Sequence, residues 1–120
     1  MAERRRAQRQ KISYYLQVMD SASQKIIGNL ADVSTVGIMI DGRQAMPAGQ
    51  EILVRMDTTP EVASVLHIDF TARVKWCQVD NFTPGIFDIG LEIVSISPAN
   101  AEVLARIAEK YGSRESSFKF

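Results

Sequence analysis

The sequence predicts an all-β fold: a small closed antiparallel barrel of six strands, followed by one helix. Three observations carry this. Six short segments between residues 12 and 93 alternate apolar with polar residues or are compactly apolar. The connections between them are short and hold no helical pattern. A single stretch with apolar residues at helical spacing follows, at residues 98–111. Closure is the expected way for so many short strands to hide their edges. With 120 residues, 46% of them hydrophobic, the chain suits one domain with its own core.

Taken in order, Ile12, Tyr14, Leu16 and Val18 alternate with Ser13, Tyr15, Gln17 and Met19, which reads as a strand with one buried face. Ile26, Ile27 and Leu30 belong to a second strand, in which Gly28 permits a bulge or bend. Residues 36–41 make a third, closed by the Asp41-Gly42 turn signal. Residues 51–57 make a fourth, with Ile52, Val54 and Met56 on one face and Arg55 and Asp57 on the other. The clearest pattern is residues 66–77, where Ile68, Phe70, Ala72, Val74 and Trp76 alternate with Asp69, Thr71, Arg73, Lys75 and Cys77. After a loop at 81–85, Phe87, Ile89, Leu91 and Ile93 alternate with Asp88, Gly90 and Glu92. Ser97 can cap the helix and Pro98 suits its first position. Val103, Leu104, Ile107, Ala108 and Tyr111 form its apolar stripe, Glu102 and Arg106 pair one turn apart, and Gly112 is a natural stop. The stripe is expected to pack across one barrel opening or side. The barrel and helix thus occupy residues 12–112, with residues 113–120 a loose tail.

Fourteen basic residues balance fourteen acidic ones, yet the charge is unevenly placed. Residues 1–11 hold Arg4, Arg5, Arg6, Arg9 and Lys11 against Glu3, leaving nine basic and thirteen acidic residues for the rest. This arm has no large apolar residue past Met1, so it is expected to be flexible without a partner. A cationic arm on a mildly acidic body suits an anionic ligand; read alone, it is equally a solvated tail that helps solubility. The acidic body weighs against nucleic-acid binding. The arm lacks an apolar side for membrane insertion, and no apolar run approaches the length of a membrane span. No apolar stretch follows the basic residues, so a signal peptide is not expected. The single Cys excludes a disulfide framework and makes a reducing, cytoplasmic setting the expectation.

Catalysis finds little support. His67 is the sole His and sits between Leu66 and Ile68 in a strand pattern. Cys77 has no second His to activate it. No metal-ligand spacing and no Gly-rich phosphate loop is present. A binding module is therefore expected, with no enzymatic activity and no cofactor.

Two motifs carry binding chemistry. In Arg5-x-x-x-Arg9, a spacing of four puts both guanidiniums on one side of either a helical turn or an extended segment. Planar cations can clamp phosphate, fork onto guanine, or stack on a purine. The second motif is Asp32-Val33-Ser34-Thr35-Val36-Gly37, at the join of strands two and three. Asp32 can accept both donors of a guanine edge, Ser34 can donate or accept, and Gly37 allows a tight turn and close backbone approach. Read alone, the segment is equally a polar turn with self-capping side chains. Trp76 offers an aromatic face for a base or an arginine, although its alternation with Val74 also reads as core packing. Arg43, after the Asp41-Gly42 turn, is a weaker candidate.

The arginine pair before strand one, the D-x-S-x-x-G segment after strand two, six strands and a terminal helix together resemble the PilZ domain family, over nearly the whole chain. VKWCQ and FDIGLEIVSIS resemble the closing strands of that family. The resemblance implies a six-stranded PilZ-type barrel in a bacterial protein that binds the second messenger cyclic di-GMP. It implies ligand contacts by Arg5 and Arg9, with Arg4 and Arg6 adding phosphate contacts or stacking, and by Asp32, Ser34 and Gly37; Trp76 is a candidate on its own chemistry. An Arg at position 4 goes, in that family, with an intercalated pair of ligand molecules. A lone receptor domain of this kind acts on a separate effector protein, as a monomer or weak dimer. The alternative is a PilZ-like interaction adaptor that works without ligand.

Overall fold

The computed structural model describes residues 16–111. Six strands, β1 (Gln17–Asp20), β2 (Lys25–Val33), β3 (Gly37–Gly42), β4 (Glu51–Asp57), β5 (His67–Val79) and β6 (Phe87–Ser95), precede one helix, α1 (Pro98–Tyr111). They close into a barrel in the order β1-β2-β3-β6-β5-β4, every neighbouring pair antiparallel. Alternate residues point inward, so Val18, Ile38, Ile40, Val54, Met56, Val74, Ile89 and Leu91 meet in one core, all fully buried.

Helix α1 packs against β2 and β5, which face each other across the barrel, so it caps one opening. Val103, Leu104 and Ile107 are its buried stripe. Ser97 caps as expected: its Oγ accepts the Asn100 N–H at 3.2 Å. Glu102 and Arg106 pair at 3.7 Å on the exposed side. The β4–β5 connection closes over the helix, with Arg106 donating to the Val62 carbonyl at 3.2 Å and the Tyr111 hydroxyl to Glu61 at 2.7 Å.

Several expectations from periodicity need correction. Asp41-Gly42 is not the turn: both residues stay in β3, Asp41 opposite Asn29 and Asp88, Gly42 opposite Phe87. The Asp32–Gly37 segment does span the join of β2 and β3, with Asp32 the penultimate residue of β2 and Gly37 the first of β3. Leu66 precedes β5 and is exposed, and β5 continues past Cys77 to Val79. Gly28 does adjoin an irregularity, since the β1–β2 register shifts there; a Cβ on Gly28 would come within 2.5 Å of the Asp41 carbonyl oxygen. Ile12, Tyr14, the Arg-rich arm, Gly112 and the tail lie outside the described residues.

Candidate ligand-binding site

Two bulges and one glycine shape the outer face of β2, β3, β6 and β5. Register places Asp32 opposite Met39, Met39 opposite Gly90, and Gly90 opposite Trp76. Directly opposed residues share a face, so these four make one row. At about 4.8 Å between strands the row is about 14 Å long. Ala31 and Met39 pack against Trp76 in a cluster separate from the main core, which identifies the face as the outer one.

The two bulges that border this row fall at Ala31 in β2 and Lys75 in β5; a further shift, at Thr71/Ala72, adds Val94 to β6 two or more residues away. A bulge inserts one unpaired residue and so reverses the alternation beyond it. Val74 points into the core, Trp76 turns outward, and Cys77 packs back against the core. The core placement expected for Trp76 from its spacing to Val74 therefore does not occur.

Asp32 is buried, and one of its carboxylate oxygens accepts the Val33 N–H at 2.8 Å. Ser34 lies in the turn beyond β2. Its hydroxyl donates to the Gly37 carbonyl at 3.3 Å and accepts the Val36 N–H at 3.2 Å, while its own N–H donates to Gly37 at 2.9 Å. Ser34 thus closes its own hairpin. Gly37 is buried opposite Glu92; among the described glycines only Gly49 and Gly85 have positive φ, so Gly37 needs no left-handed backbone.

Two cations of this face are engaged: Lys75 lies 3.6 Å from Glu92, and Arg73 2.6 Å from Glu51. Two residues along from the Asp32 row runs a polar row, Asn29, Asp41, Asp88 and Gln78. Asp88 is buried despite its outward register. Asp80 joins from the β5–β6 loop, where it accepts the N–H groups of Phe82 and Thr83 at 2.7 and 3.1 Å. Carboxylate oxygens of Asp41, Asp80 and Asp88 lie within 4.8 Å of one another. Such a cluster attracts any cation that reaches it, a guanidinium as readily as a metal ion. Periodicity concealed this group, because its members come from three separate segments. Arg43 is exposed at a groove of about 400 Å³ that also touches Gln17, Asn29 and Asp41. Arg4, Arg5, Arg6 and Arg9 lie outside the described residues.

The sequence profile of the PilZ domain matches residues 3–110, a span that takes in both the arginine pair and the D-x-S-x-x-G segment. The chain belongs to the PilZ domain family. Among solved structures, the PilZ domain with c-di-GMP of YcgR from Escherichia coli has the same fold, with a TM-score of 0.58 at 16% identity over 81% of this chain and 80% of that one. No curated relative matches the sequence. The PilZ barrel here carries Asp32 and Trp76 at opposite ends of one outward row, an arrangement that neither motif by itself implied.

Proposed function

We propose that this PilZ domain is a receptor for cyclic di-GMP, bound on the outer face of β2, β3, β6 and β5 and covered by the N-terminal arginines. The observation that carries the reading is the row from Asp32 to Trp76. It sets a carboxylate that can read a guanine edge and an aromatic ring that can stack on a base about 14 Å apart on one face. A ligand with two purines can engage both ends. The family supports the choice of ligand, as does the c-di-GMP in the similarly folded YcgR domain.

The phosphates need cations. Arg73 and Lys75 are paired with glutamates, so Arg4, Arg5, Arg6 and Arg9 are the natural source. Leu16, the first described residue, lies beside β2: its carbonyl accepts the Leu30 N–H at 2.8 Å, two residues from Asp32. Arg9 is seven positions before Leu16 in the sequence, and seven steps of extended chain reach about 23 Å, which exceeds the length of the row. Closure of the arm over the ligand changes the surface charge, and that altered surface is what an effector protein reads.

Titration calorimetry with cyclic di-GMP tests this. Saturable binding is expected, weakened at least about tenfold in Arg5→Ala and Arg9→Ala and by about 1–3 kcal/mol in Asp32→Ala. Absence of heat at micromolar ligand would leave the ligand-independent adaptor as the better reading. Wild-type affinity in both arginine variants would remove the arm from the site.

A further inference from the structure

The indole of Trp76 lies where a side chain at position 90 would stand. A Cβ on Gly90 would be 2.3 Å from Trp76 Cε2, 2.5 Å from Nε1 and 2.7 Å from Cζ2. Those three atoms are bonded in sequence with Cε2 in the middle, and Cε2 is nearest. The Cα–Cβ direction therefore enters the indole through its face and not its rim. Side chains stand roughly perpendicular to a sheet, so the ring is laid across β6, parallel to the barrel surface. Ala31 and Met39 pack against the same ring, and the contact at 90 is closer than any Cβ tolerates. Any residue other than glycine there must lift or tilt the ring.

We infer that Gly90 is a positioning residue for the ligand site: its missing side chain lets Trp76 lie flat and offer its outer ring face to a purine. The bulge at Lys75 turns Trp76 outward, and Gly90 sets its tilt. This rests on the cyclic di-GMP reading above. It extends the site to a residue that touches no ligand and belongs to neither motif.

Trp76 is the only tryptophan of the chain, so tryptophan emission and its quenching by acrylamide report on this ring alone. Gly90→Ala is expected to shift both while far-ultraviolet circular dichroism stays that of the barrel. It should also weaken cyclic di-GMP binding about tenfold or more, as Trp76→Ala should. In a Trp76→Ala background, adding Gly90→Ala should cost almost nothing further in melting temperature or affinity, because the ring it displaces is gone. If Gly90→Ala alone does not fold, recovery of folding in the double variant supports the assignment. Wild-type emission, quenching and affinity in Gly90→Ala would overturn it. So would a penalty, or a failure to fold, that persists undiminished without Trp76. Should the wild-type chain bind no cyclic di-GMP, the receptor reading fails, and the emission and melting measurements still decide whether Gly90 seats the ring.

Discussion

The two halves of β5 contrast sharply although they are one continuous strand. From His67 to Arg73 it pairs with β4 without a register shift, and where its ladder with β6 shifts, at Thr71/Ala72, the extra residue is Val94 of β6, so the alternation of β5 is kept. Its inward residues there, Ile68, Phe70 and Ala72, are buried, and the outward Asp69 is locked to Arg55 by hydrogen bonds of 2.8 and 3.1 Å. Beyond Val74 the ladder with β6 is bulged, the alternation reverses, and a large aromatic residue faces outward over a glycine. The regular half pairs its outward Asp69 and Arg73 with Arg55 and Glu51 of β4 and contributes structure. The irregular half spends its regularity on aiming Trp76 at the same face as Asp32, in keeping with the enrichment of bulges beside functional sites.

The largest effect that separates the halves is in stability. Ile68→Ala removes a fully buried core residue and should cost about 2–5 kcal/mol in chemical denaturation. Trp76→Ala deletes more atoms but lies on the outer face, and should cost about half as much. A larger loss for Trp76 would mean that its ring belongs to the core after all.

A smaller effect belongs to the β2–β3 hairpin. Ser34→Ala removes one accepted and one donated hydrogen bond from the β2–β3 turn, and should lower stability by about 1 kcal/mol. An unchanged denaturation midpoint would show that the backbone bond from Ser34 to Gly37 holds the turn unaided.

The smallest lies in the regular half and depends on pH. The Arg55 hydrogen bond, with its positive charge, holds the Asp69 carboxyl below the usual aspartate value. The resulting stability is fully present above that usual value and is lost as pH falls through the lowered one. Asp69→Asn should remove this part of the acid limb of a melting-temperature profile. The effect is small, since both side chains are a third or more exposed. Cyclic di-GMP affinity should stay unchanged; a loss would extend the site onto β4.

Much of this was legible in the residues alone. Period-two patterning located β4, β5 and β6, because burial of one face imposes it along a strand, compact apolar runs located β2 and β3, and Ser97, Pro98 and the stripe through Ile107 located the helix. The D-x-S-x-x-G segment and the arginine pair pointed to the family because their chemistry is local and their order is linear. Periodicity failed at the departures from regular pairing. Nothing in VKWCQ marks Lys75 as the unpaired residue, so Trp76 counted as inward by spacing, and Asp41-Gly42 looked like a turn although its neighbours keep it paired. The local sequence, then, determined which segments are strands and which residue types are available for binding. Only closure of the barrel decided that Asp32, Gly90 and Trp76 share a row and that Asp41, Asp80 and Asp88 converge, because register between strands distant in the chain is set by how the whole core packs.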